Sequence, residues 1–146
     1  MNFGYGAGDI IAISRLAVKV YTAYKDAPGD YRDISDEVKS LNIIINNTAE
    51  YFESNTLSNK KRDEGREILE GCNNVLKDLD SLIERYNSLV TSASSSQVFQ
   101  RIKLGTEDLA TLRARLTSNT TLLNGFIQRF DILTIAMQYA MLIPSF

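Results

Sequence analysis

Carboxylates are the side chains whose spacing first suggests chemistry. Asp33, Asp36 and Glu37 fall within about one helical turn, and Asp78 and Asp80 are two residues apart. Acids this close serve general acid–base work or bind a hard cation. Neither group has a wider ligand set or a glycine-centred calcium loop, so both read as surface acids. The chain has no His, which excludes Ser-His-Asp and Cys-His nucleophile systems and the His-containing zinc sites. Its single Cys, Cys72, excludes an intramolecular disulfide and a multi-cysteine metal site. Cys72 lies on an apolar stripe and reads as a core residue. The sequence therefore assigns no catalytic, cofactor-binding or metal residue, and the expectation is a protein that is not an enzyme.

What is unusual lies at the two ends. Gly4, Gly6 and Gly8 alternate with Phe3, Tyr5 and Ala7. A phosphate cradle would need a preceding strand and a Lys-Ser/Thr after the glycines, and neither is present. Gly4 and Gly8 have the GxxxG spacing that lets helices approach closely in membranes. The segment reads as a terminal arm, or as one that changes state and becomes helical in a bilayer or an oligomer. At the other end, Ile132 to Phe146 carry no charged side chain. That stretch is shorter than the ~20 residues a transmembrane helix needs. It reads as a buried helix end, or as a self-association or membrane-facing patch carrying Leu133, Met137 and Met141.

The rest of the chemistry is ordinary. Sixteen basic and 18 acidic residues give a net charge of −2, which argues against a nucleic-acid partner. Lys60, Lys61, Arg62 and Arg66 cluster, but Asp63, Glu64, Glu67 and Glu70 offset them at helical spacing, as on a solvated charged face. Asn46 and Asn119 begin glycosylation sequons, which mean little without a secretory signal. No basic n-region precedes the first apolar run, and Asp9 and Arg15 interrupt it. The expected location is cytoplasmic, with plasma-membrane association on activation.

Four helical segments must position these residues. Apolar positions recur at spacings of three and four, and β-hairpin signals are absent. The first runs from about Asp9, read as its N-cap, to Asp26, with Ile10, Ile13, Leu16, Ala17, Val20, Tyr21 and Tyr24 on one face. Ile11 and Val18 fall off that stripe, which leaves more apolar surface than one contact face needs. The second runs from about Asp30 to Ser54 with Tyr31, Ile34, Val38, Leu41, Ile45, Thr48 and Phe52. The third begins after an N-cap at Ser58 and reaches about Leu89, through Ile68, Cys72, Val75, Leu79, Leu82 and Tyr86. Residues 91–97 read as a polar, mobile linker, followed by a short apolar patch. A last helix is expected from an N-cap at Thr106, carrying Leu109, Leu112, Leu116, Leu123, Phe126, Phe130, Leu133, Met137 and Ala140. These stripes predict an all-α fold, an antiparallel bundle of four or more helices; the short breaks favour folding back over a coiled-coil rod.

Several separated blocks resemble the HeLo-like N-terminal domain of fungal STAND (NOD-like) receptors. They are Phe3–Ala12, Lys25–Pro28 with Ile34–Leu41, Gly71–Leu79, and Glu107–Leu109 followed by Leu112-Arg113, Ser118-Asn119 and Leu122–Asn124. The likeness covers residues 3 to 130. The family often has a Trp in a basic stretch before the Glu-Asp motif, whereas this chain reads Arg101-Ile102-Lys103-Leu104-Gly105-Thr106. The resemblance implies a helical bundle related to the HeLo cell-death domain, the animal necroptosis bundle and plant coiled-coil resistance domains. The chain then reads as an arm (1–8), a bundle (9–130) and an apolar extension (131–146), the last outside the usual match.

Two functions follow as expectations. One is a cell-death domain of fungal innate immunity or heterokaryon incompatibility, which oligomerises and targets or permeabilises membranes. Phe3, Gly4, Tyr5, Gly6, Gly8, Ile10, Ile11, Ile13 and Val18 would then form the membrane or oligomer face, and Arg15 and Lys19 would meet anionic headgroups. The other is a helical adaptor or inhibitor that pairs with itself or with related signalling domains and never enters a membrane. With no sensor segment after the bundle, the chain reads as a stand-alone executor or adaptor, or as an excised domain.

Overall fold

A computed structural model describes residues 6–27, 29–53, 57–92 and 95–142. Side chains are described for these residues except at 7, 89–92, 95–108, 130–135, 137, 138, 141 and 142. Four helices make up the fold: α1 (Ala7–Tyr24), α2 (Asp30–Glu53), α3 (Asn59–Ser92) and α4 (Ser95–Leu142). The all-α helical bundle read from the sequence is what the structure has, and the described residues contain no strand.

Helix ends follow local chemistry, with three departures from expectation. Ser58 caps α3 as read: its Oγ accepts the Lys61 N–H at 3.2 Å, and its carbonyl oxygen accepts the Arg62 N–H at 3.0 Å. Helix α1 starts two residues earlier than Asp9, with Gly6 as its N-cap. Asp9 still serves that end from the third position, where its carboxylate accepts the Gly6 N–H at 3.0 Å. Gly29, at φ 60°, turns the chain from α1 into α2, in a region that L side chains rarely adopt. The Ser-rich stretch is largely helical, because α3 runs to Ser92 and α4 begins at Ser95. Thr106 accordingly lies inside α4 rather than at its start. Ser and Thr cost only tenths of a kcal/mol per helical residue, too little to end a helix by themselves.

Helix α1 packs on α2 and α3, and α4 packs on α2 and α3, which gives the ring order α1–α2–α4–α3. The named contacts set the directions. Asp78 faces Arg115 while Glu64 faces Arg129, so α3 and α4 are antiparallel. Glu37 faces Arg113, and Phe52 and Phe126 meet over Gly65, so α2 and α4 run parallel. Parallel neighbours arise because each lies beside a helix that is not adjacent to it in sequence.

The core holds the expected stripes. All seven apolar or Thr positions read on α2 are buried. On α1, Ile10, Ile13, Ala17, Val20 and Tyr24 are buried, with Leu16 and Tyr21 packed at the edge. Helix α3 adds Leu69, Leu76 and Ile83 to its expected stripe, since it meets both α1 and α4 and buries more than one seam. Tyr24 spans the bundle: its hydroxyl donates to the Leu79 carbonyl at 2.6 Å, and its ring stacks on Tyr31 at 6.1 Å between centroids.

Candidate interaction surface

Four of the five acids that first suggested chemistry are tied to cations across the helix seams, and Asp36 is exposed. Glu37 accepts from Arg113 Nε at 2.9 Å, and Asp33 lies 4.0 Å from the same guanidinium. Asp78 pairs with Arg115 at 2.7 Å, and Asp80 pairs with Lys19 at 3.0 Å. Arg129 pairs with Glu64. The hydrogen bond to Asp80 leads in raising the Lys19 pKa above its usual value, and the bond to Glu37 does the same for Arg113. Among the described residues, no group of three or more His, Cys, Asp or Glu side chains could hold a metal ion.

Cys72 is fully buried, and burial pushes its thiol up to about 12. A thiol at that value is protonated near neutral pH and is a poor nucleophile. A depression of about 480 Å³ is lined by Ser81, Glu84, Arg85 and Ser88, all on the outer side of α3. It opens broadly to solvent and lacks the enclosed apolar walls of a small-molecule site.

The residues read as a membrane or oligomer face are divided by the structure. Phe3, Gly4 and Tyr5 lie outside the described residues. Gly6 and Gly8 are exposed at the start of α1, and a Cβ added at either would touch nothing within 4 Å. Ile10 and Ile13 are not on an exposed face: they are 1% and 4% accessible and sit in the core. Their spacing from Ala17, Val20 and Tyr24 places them on the inward stripe. Ile11 and Val18 are 48% and 49% accessible, as the off-stripe reading anticipated. Arg15 is exposed beside them, while Lys19 turns toward α3 and is held by Asp80 and by Glu84 at 3.7 Å.

Leu133, Met137 and Met141 fall within α4, and their side chains are outside the described set. The described side chains of that stretch are Ala136, Tyr139 and Ala140, all exposed, with Tyr139 67% accessible. Their i, i+3, i+4 spacing places them on one face of α4. With Glu64 opposite Arg129, α3 begins about level with residue 134, so α4 runs past the end of α3.

The seam between α1 and α2 is polar and was missed in the sequence. Ser14 Oγ lies 2.7 Å from Asn42 Oδ1 and 3.1 Å from Asn46 Oδ1. One hydroxyl proton serves only one of these, so the other amide must present its NH₂ and donate to Ser14. Ile11 and Val18 flank Ser14 at i−3 and i+4, on this same line along α1. Ile43, 56% accessible, lies three residues from Asn46 on α2. Asn42, Ile43 and Asn46 mix polar and apolar side chains along one side of α2 and give no stripe signal, so periodicity does not single it out.

The two sequons serve packing. Thr48 is buried, and Asn119 packs on Gly71 while its Nδ2 donates to the Arg115 carbonyl at 2.9 Å. No helix among the described residues is long and apolar enough to cross a membrane. In comparisons with known proteins, the chain matches no family model, no curated protein and no solved structure.

Proposed function

We propose that this chain is a non-enzymatic cell-death or signalling domain that acts by self-association and by targeting or permeabilising membranes. Its setting is fungal innate immunity or heterokaryon incompatibility, as the HeLo-like resemblance implies. The observation that supports this most is the divided use of α1. One side of that helix fills the core, while Ile11 and Val18 stay half-exposed beside Arg15. A helix with a second apolar strip and a nearby cation suits contact with an anionic lipid surface or another helix.

Vesicles rich in anionic lipid and loaded with a self-quenching dye test the membrane part. Leakage that the paired Ile11→Glu and Val18→Glu substitutions abolish, with helicity unchanged, is the expected result. Intact vesicles at every protein concentration, including after forced clustering, would remove membrane permeabilisation from the reading.

A second reading has its own support. The exposed Ala136–Tyr139–Ala140 face, in a stretch with no charge, suits a helical interaction module that pairs with itself or with related domains and stays out of membranes. Under that reading, association survives in the absence of lipid and no dye escapes.

A further inference from the structure

The outer face formed by α1 and α2 is matched to its own image. Of the five large apolar side chains exposed among the described residues, three lie on these two helices: Ile11, Val18 and Ile43. On α2, Lys39, Ile43, Asn46 and Glu50 follow one line at spacings of four, three and four. Lys39 and Glu50 are exposed, and neither has an ion-pair partner among the described residues. The line is thus basic at one end, acidic at the other and partly apolar between.

Its symmetry is arithmetic. Lys39 and Glu50 are equidistant from the point midway between residues 44 and 45, as are Ile43 and Asn46. Ile11 and Val18 are equidistant from the point midway between residues 14 and 15. These two midpoints lie at the same height, because Ser14 hydrogen-bonds both Asn42 and Asn46, which bracket residue 44. One axis across the face therefore passes close to both.

We propose that this chain forms a two-fold symmetric dimer through the outer face of α1 and α2, with its axis across those midpoints. The inference rests on the self-association part of the reading above and assigns it a face and a partner, a second copy of the chain. Each α2 lies antiparallel on its equivalent, and Lys39 meets the partner's Glu50 twice. Ile43 packs beside the partner's Asn46. Ile11 meets the partner's Val18. The same patch serves both copies, as a two-fold interface requires.

Charge selects this occupant over others. An acidic peptide or an anionic lipid surface would gain from Lys39 and Arg15 and be repelled by Glu50, whereas a second copy pairs Lys39 with Glu50 twice, against one like-charge approach of Arg15 to its image near the axis. Area gives the strength. A face about 27 Å long and two helices wide covers roughly 500 Å² on each copy. The total of about 1,000 Å² is near the lower limit for a specific complex, so the dimer is weak and responds to local concentration.

Sedimentation velocity across about 1–500 µM, a range that spans weak dimers, tests the arrangement. The variants are Lys39→Glu, Glu50→Lys and the double exchange, each checked by thermal melting. Every single reversal sets two like charges against each other and is expected to weaken the dimer on the order of tenfold or more. The double exchange restores opposite charges and is expected to recover affinity to within about threefold, a rescue that misfolding cannot imitate. A wild-type dimer indifferent to the single reversals, or a double variant as weak as either single one, overturns this face and leaves self-association standing. A wild-type monomer across the range overturns both.

Discussion

At the scale of single residues, burial decides what each reactive group does. Cys72 has a thiol raised from 9.0 to about 12, and the charged form is the one that burial disfavours. The folded state then holds its proton more tightly than the unfolded chain does. Stability from this group is complete below pH 9 and falls as pH rises toward 12, by up to about 1.4 kcal/mol per pH unit. Urea unfolding between these limits should show the decline, and Cys72→Ala should make it shallower at the cost of a small cavity. Glycines separate in the same way. A Cβ at Gly65 would lie 2.7 Å from the Phe52 ring and 2.9 Å from the Phe126 ring, while one at Gly125 would meet nothing within 4 Å. Gly65→Ala should therefore destabilise by about 1–2 kcal/mol, because two core rings must move. Gly125→Ala should stabilise by about 0.5–1 kcal/mol through helix propensity alone. Chemical denaturation of the two variants side by side measures both. The sequence presents Gly65 and Gly71 only as weak points in a helix; the close approach that uses them is a tertiary fact.

At the scale of elements, spacing made the inward faces legible. The stripe of α2 holds at every position from Tyr31 to Phe52, because an 18- to 24-residue amphipathic helix with partners on two sides has one solution for its apolar face. Less legible were the ends and the outer contacts. The Ser-rich segment looked like a linker because local propensity was the only signal there, and α3 and α4 extend into it anyway. Lys19, considered for lipid headgroups, is engaged by Asp80, and no sequence spacing links residues so far apart. Among the candidate site residues, Ile11 and Val18 were readable as exposed, whereas Ile10 and Ile13 were mixed with them because one helix was asked to supply both faces. The Tyr24 hydroxyl gives a test of how α1 is held. Tyr24→Phe removes its bond to Leu79 while keeping the ring, and should cost about 0.5–1.5 kcal/mol in thermal or denaturant unfolding.

At the scale of the whole molecule, the helices differ in length far more than a closed bundle needs. With 48 residues α4 is about 72 Å long, against about 27 Å for the 18-residue α1. The segment of α4 past the start of α3 lies outside the four-helix body, so deleting residues 135–146 should leave the melting temperature within about 3 °C, a shift worth about 1 kcal/mol at most. A large drop would mean that this end carries structural weight. The ring order has a further consequence. Contacts between consecutive helices form inside α1–α2 and inside α3–α4, while both remaining seams join one pair to the other. The molecule is two helical hairpins laid side by side. During synthesis the first hairpin emerges and closes long before its counterpart exists, and its inward face must wait for residues such as Leu79. Chain cut near residue 55 should therefore yield two fragments that recombine when mixed, each folding the other.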